Sequence, residues 1–279
     1  MTLPSLFVSH GSPTFALEPG HAGALLREVG QRIEALPNVR AVLVVSPHWR
    51  TRGLQISCSA QPETIHDFGG FPAPLYALQY PAKGAPDVAR EVADHLVRAG
   101  LPTQLDPRQG LDHGAWVPLM HMLPGATLPV FQLSLPIEMR AADAQALGLA
   151  LAPLRERGVL IVGSGSLTHN LYELRQAGGD VSADYVDEFV LWARQSVLKH
   201  DQVALAAFRE APHSRRAHPS DEHYLPLLVA AAAANFNDQI TVIDGGVTYG
   251  VLSMEGYVFG ELPDTDKARP NTANVAEPS

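Results

Sequence analysis

The chain has 279 residues, 46% of them hydrophobic, which is enough to build one large α/β domain around a sizeable core. A formal net charge of -9 excludes a phosphate-tracking surface, which needs clustered Lys and Arg, so no nucleic acid is expected and small molecules are the expected partners. The lone cysteine, Cys58, excludes an intrachain disulfide; the first residues run straight into an apolar strand pattern rather than a charged and apolar leader, and together these point to a reducing, cytoplasmic setting.

In chain order, residues 3–8 form a continuous apolar run, expected to be a strand covered on both faces, that ends in Ser9-His10-Gly11-Ser12-Pro13. A helical pattern follows over 20–36. A second strand, 41–46, runs into Ser46-Pro47-His48-Trp49. A glycine-rich loop carries Thr64-Ile65-His66-Asp67-Phe68-Gly69-Gly70-Phe71-Pro72, and helices are expected over 86–99 and 114–123, the second opened by Leu111-Asp112-His113. Then come a strand over 127–134, a helix over 141–157, and a strand over 158–162 that runs into Gly163-Ser164-Gly165-Ser166-Leu167-Thr168-His169-Asn170. Helices over 183–199 and 221–234 and a strand over 239–243 follow, and 246–259 alternates as one or two antiparallel strands closing an edge. The pattern predicts a single α/β domain over 1–261: a central, mostly parallel mixed β-sheet with helices on both faces. Residues 262–279 carry almost nothing to bury and are expected to be disordered. The most apolar stretch, 225–234, is too short to cross a bilayer, so no membrane is expected.

In open α/β sheets ligands collect beyond the carboxyl ends of the strands, and three of these strands run into a histidine there: His10, His48 and His169. A single such histidine is as readily an ordinary core or surface residue, but three at equivalent ends point to a shared site. His223 stands where a long apolar helix begins. Asp221 or Ser220 would cap that helix, whereas a cation at position 223 would oppose the dipole and a neutral imidazole there suits a metal. His113 also opens a helix beside an acid, and His66 lies in the glycine-rich loop, which would form a lid over a flat substrate. His21, His95, His121, His200, His213 and His218 fall in polar segments and read as surface residues. A histidine-rich site suits iron, zinc, copper or nickel far better than magnesium or calcium. No cysteine cluster forms a zinc ribbon, Gly163-Ser164-Gly165 lacks the phosphate-binding pattern and its lysine, and no nucleophile elbow is present.

Taken in order, Ser9-His10-Gly11-Ser12-Pro13, Ser46-Pro47-His48-Trp49, the 64–72 loop, Asp112-His113-Gly114-Ala115-Trp116, Thr168-His169-Asn170-Leu171 and Glu222-His223-Tyr224-Leu225-Pro226-Leu227 resemble the DOPA-dioxygenase branch of the class III extradiol ring-cleavage dioxygenases, relatives of the protocatechuate 4,5-dioxygenase catalytic subunit. The resemblance implies an enzyme that uses Fe(II) and O2 to open a catecholic ring beside its two hydroxyls, with Zn(II) a possible occupant after purification. It assigns His10, His48 and His223 as metal ligands, His169 as the acid/base group, His113 as a further catalytic histidine near oxygen and substrate, and His66 as a substrate-facing residue. The wider superfamily uses a Glu as third ligand, so the neighbouring Glu222 stays open as an alternative. Trp49, Phe68, Phe71 and Trp116 would wall the pocket or simply pack the core. Arg50 and Arg52 are the cations nearest the matched blocks. Two other readings stand: a zinc hydrolase or lyase on the same histidines, and a binding protein resembling the Memo proteins. Monomer and homo-oligomer are equally compatible with the sequence.

Overall fold

The computed structural model describes residues 2–174 and 181–264. Its elements in chain order are β1 (Ser5–Ser9), α1 (Gly20–Glu34), β2 (Ala41–Thr51), β3 (Leu54–Ser57), α2 (Ala73–Tyr76), α3 (Pro86–Arg98), β4 (Thr103–Asp106), α4 (His113–Met122), β5 (Val130–Pro136), α5 (Ala141–Leu151), β6 (Val159–Gly165), α6 (Asp184–Leu198), α7 (Gln202–Ala206), α8 (Ser214–Ala217), α9 (Leu225–Ala232), β7 (Ile240–Ile243), β8 (Val247–Thr248), β9 (Leu252–Ser253) and β10 (Gly256–Phe259). Eight strands make one mixed sheet in the order β4-β3-β5-β2-β6-β1-β10-β7, and β8 and β9 form a small separate hairpin. The core of the sheet, β5-β2-β6-β1, is parallel, as its unbroken apolar runs require.

Successive side chains of these strands feed two separate cores. Phe7, Leu43 and Val45 face the side packed by α3, α5, α6 and α9, while Leu6, Val8, Val42 and Val44 face α1 and α4. Residues 41–45 are completely buried, and each such aliphatic side chain stabilises the fold by roughly 1.5–3 kcal/mol relative to exposure.

Three expectations change. The 246–259 segment does not close an edge: β10 inserts antiparallel between β1 and β7, and β7 is the edge strand. The helix expected over 141–157 gives way at Ala152 to a 3₁₀ turn, with Pro153 next in the chain; Pro lacks an N–H and cannot continue the α pattern freely. The helix expected over 221–234 begins only at Leu225. Ahead of it lies a turn in which the Tyr224 and Leu225 amides donate to the Asp221 carbonyl. Of the expected disordered tail, positions 265–279 lie outside the described residues; Leu262 and Pro263 accept hydrogen bonds from the Arg32 guanidinium. Among the described residues no helix is long and apolar enough to cross a membrane.

Buried Arg155 holds the chain ends against this sheet. Its guanidinium donates to the Leu3 and Ala233 carbonyls (2.6 and 2.8 Å) and pairs with Asp238 at 2.7 Å.

Candidate active site

Three neighbouring parallel strands, β2, β6 and β1, bring histidines to one end of the sheet. His10 follows β1 directly, its amide donating to the Gly165 carbonyl at 2.9 Å. The next residue, Gly11, has φ +62°, and a Cβ there would meet the Met254 sulfur at 2.8 Å, so only glycine lets the chain turn this closely. His48 sits inside β2 rather than past its end. The pairing of β2 with β5 slips between Val45 and Arg50, and Pro47, which has no N–H to give a ladder, lies in that irregularity. The local bend directs the His48 ring to His10, with the two Nε2 atoms 3.1 Å apart. His169 follows β6 and stacks flat on His223, ring centroids 3.5 Å apart and planes 8° from parallel. His113 opens α4 behind Asp112, whose carboxylate caps the helix by accepting from the Ala115 amide at 3.1 Å. Asp112 is itself buried and gripped by Ser46 Oγ (2.7 Å) and Gln132 Nε2 (2.6 Å), which locks the start of α4 against β2 and β5.

His10, His48 and His223 each present a ring nitrogen, all within 4.8 Å of one another. In each ring the other nitrogen faces a defined polar group. Ser164 spends its single proton on the Gly114 carbonyl, so its oxygen accepts from His10 Nδ1 at 3.0 Å. His223 Nδ1 meets Glu222 Oε1 at 3.2 Å, and His48 Nδ1 lies 3.8 Å from Asp67. These contacts favour the Nδ1–H tautomers and leave the Nε2 lone pairs of His10 and His223 as donors. His223 Nε2 is buried with no hydrogen-bond partner, a cost that a metal would remove. The donor set therefore fits a metal that takes imidazole nitrogen. Glu222 orients His223 through Nδ1 in this arrangement.

Burial drives the electrostatics. Desolvation, then the neighbouring imidazoles, holds His10 and His223 well below the ordinary histidine range. Desolvation and His113 bring His48 down to about 3, against the opposing pull of Asp67. His169 falls to about 4, chiefly by desolvation, with Glu222 opposing. All four are neutral near pH 7 and free to coordinate or accept a proton.

These rings and His113 line one cavity of about 450 Å³, walled by Phe68, Phe71, Leu171 and Leu252. His66 stands behind that wall: its Nε2 contacts the Leu78 carbonyl at 3.0 Å and its ring packs on Phe68 and Trp116. Trp49 and Trp116 are core residues, the latter donating from its indole to the Ile65 carbonyl. Arg50 turns to the Ile137 carbonyl at 2.6 Å, and Arg52 is exposed away from the site. Two histidines expected at the surface are buried instead. His121 Nε2 contacts the Phe15 carbonyl and His218 Nε2 the Leu167 carbonyl, each at 2.8 Å, so both serve as internal clamps for loops. His95 is half-buried against the Ala150 carbonyl.

Sequence reasoning passed over Asp67 and Ser164. The Asp67 carboxylate accepts from the His113 amide at 2.9 Å and lies 3.0 Å from His113 Nδ1, which leaves Nε2 of that ring to face the cavity. Its place directly after His66 was the available signal.

The family described as the catalytic LigB subunit of aromatic ring-opening dioxygenase matches residues 4–260. The chain is 36% identical over 257 residues to a 4,5-DOPA dioxygenase extradiol of Beta vulgaris, covering 91% of this chain and 96% of that protein. It is 36% identical over 262 residues to the protein of the same description from Escherichia coli K12, covering 92% and 95%. A crystal structure of an uncharacterized Escherichia coli K12 protein superposes with a TM-score of 0.76 at 30% identity, covering 92% of this chain and all of that one.

Proposed function

We propose how the site works from one premise: the chain belongs to the family of the catalytic LigB subunit of aromatic ring-opening dioxygenases and is an extradiol ring-cleaving dioxygenase. Its substrates are then a catechol and O2. His10, His48 and His223 hold a single ion, Fe(II) in the working enzyme, with Zn(II) able to occupy the same nitrogens. The reading rests above all on three unprotonated imidazoles, two buried and His48 half-buried, that converge on an apolar cavity, one of them with an otherwise unpartnered Nε2. A bound ion would supply Lewis-acid and redox chemistry for the catechol and O2.

The remaining steps belong to side chains. His169, held flat against His223 and lining the same cavity, takes the catechol hydroxyl proton on its ring and later returns it. His113, its backbone amide held by Asp67 and its Nδ1 3.0 Å from the same carboxylate, lines the cavity and hydrogen-bonds the reacting oxygens. Phe68, Phe71 and Leu252 exclude water from the opening ring. A reducing, cytoplasmic setting suits both the ferrous state and a chain whose one cysteine is free.

Anaerobic reconstitution with Fe(II), followed by a panel of catechols and then O2, tests the reading. Oxygen uptake with appearance of a yellow semialdehyde is expected. No uptake with any catechol, or equal turnover of other compounds without O2, overturns it.

A further inference from the structure

The cavity wall opposite Phe68 and Phe71 carries three hydroxyls in series, which the ring-opening chemistry does not use. Thr14 Oγ1, in the turn after β1, donates to Ser12 Oγ at 3.1 Å and lies 2.6 Å from the Tyr249 hydroxyl. Thr14 has one proton and gives it to Ser12, so Tyr249 donates to Thr14. Two functions remain for a ligand: the Ser12 proton as donor and the Tyr249 oxygen as acceptor. Ser12, Thr14 and Tyr249 all line the cavity.

Tyr249 is held there by an unusual backbone. It has φ +53° and is followed by Gly250 at +71°, the paired positive φ values of the tight turn that joins β8 to β9. Asn, Asp or Gly is the usual first residue of such a turn, because a larger L side chain is strained there. A tyrosine at this strained position, aimed at a ligand cavity, points to a role in function.

The charged side chains nearby are already engaged. Arg50 is turned to Ile137, Arg216 pairs with Glu173, and Asp67 and Glu222 face histidines. Among the described residues that line the cavity none is Lys, Arg, Asp or Glu.

Resting on the dioxygenase reading above, we infer that the preferred substrate is a catechol whose ring substituent is an uncharged, largely apolar arm ending in a hydroxyl, received by Ser12 and Tyr249. A hydroxyl both donates and accepts, matching the pair left open. Among the described residues that line the cavity, a carboxylate meets no Lys or Arg and an ammonium no Asp or Glu.

Four catechols of matched length separate these features: 4-ethylcatechol, 4-(2-hydroxyethyl)catechol, 3,4-dihydroxyphenylacetate and 4-(2-aminoethyl)catechol. Their dissociation constants are measured anaerobically by calorimetry on the Zn(II)-loaded protein, and kcat/KM on the Fe(II) enzyme. The hydroxyethyl compound should bind roughly two- to tenfold tighter than the ethyl compound, the worth of one neutral hydrogen bond. The two charged compounds should bind more weakly than either. In Tyr249→Phe the hydroxyethyl advantage should shrink at least twofold, because only the Ser12 contact remains, with the thermal melt of the variant as the control for folding. Tighter binding of the acetate or the amine, or a hydroxyethyl advantage undiminished in Tyr249→Phe, overturns the inference while leaving the enzyme a dioxygenase. Absence of binding and turnover for all four overturns both.

Discussion

Replacing Ser164 with Ala tests whether the metal site is set from behind. The hydroxyl sits between two buried groups, giving its proton to the Gly114 carbonyl and accepting from His10 Nδ1 at 3.0 Å. Its removal leaves a carbonyl and a ring N–H without partners, at roughly 1–3 kcal/mol each, so a loss of about 2–6 kcal/mol is expected. For a chain of this size each kcal/mol lowers Tm by roughly 2–4 °C, which predicts a fall of about 4–24 °C. The consequence for metal is separate. With no acceptor at Nδ1, the His10 proton is free to move to Nε2, the atom that faces His48. Losing such an orienting contact typically weakens metal affinity by about 10–100-fold. Thermal melts of the metal-free protein report the first effect, and competition with a chromophoric zinc chelator reports the second. A Ser164→Ala protein with Tm within 2 °C and zinc affinity within threefold of the parent would refute the assignment of the His10 tautomer.

Other expectations follow from the same contacts. Burial brings His218 down to about 3, so the folded state holds it neutral while the unfolded state takes up a proton below about 6.5; stability is complete above that value and is lost progressively as pH falls toward 3. Between pH 7 and pH 5 the share from this one group is about 2 kcal/mol, and urea midpoints at the two pH values should show a smaller drop for His218→Gln than for the parent. Asp67→Asn should keep its metal, read by elemental analysis, yet lose roughly tenfold or more in kcat/KM, because His113 would no longer be held by a charged partner. Arg155→Met strands Asp238 and three backbone carbonyls and should lower the unfolding free energy by about 3 kcal/mol or more in urea titrations.

The parts of this architecture that were legible in the sequence are those where burial on both faces writes a continuous apolar run. β1, β5 and β6 are of this kind, and the histidines after β1 and β6 could be located from them. β3 and β4 could not: each is four residues long, β4 is partly exposed, and Gln55, Gln104 and Asp106 interrupt any apolar pattern. β2 was truncated in expectation because Ser46-Pro47-His48 reads as a loop, and only its partner strand shows that pairing resumes at Arg50. His121 and His218 misled for a related reason. Each meets a backbone carbonyl supplied from 106 and 51 positions away, which no local pattern encodes. The same holds for Tyr249, whose partner Thr14 is 235 positions distant.

The position of β1 bears on how the enzyme is made. Its two hydrogen-bonded neighbours come late in the chain, Ser5 pairing with Ile161 on one side and with Phe259 on the other. β1 therefore waits for β6 and β10 to be synthesised before both its edges are paired. Pairing over such separations closes long loops and is intrinsically slow. His10 cannot be aimed until then, and His223 also comes late in the chain, so the proposed metal site is assembled from distant parts of the sequence. A site drawn from both His10 and His223 is therefore completed only after β6 and β10 have both been made.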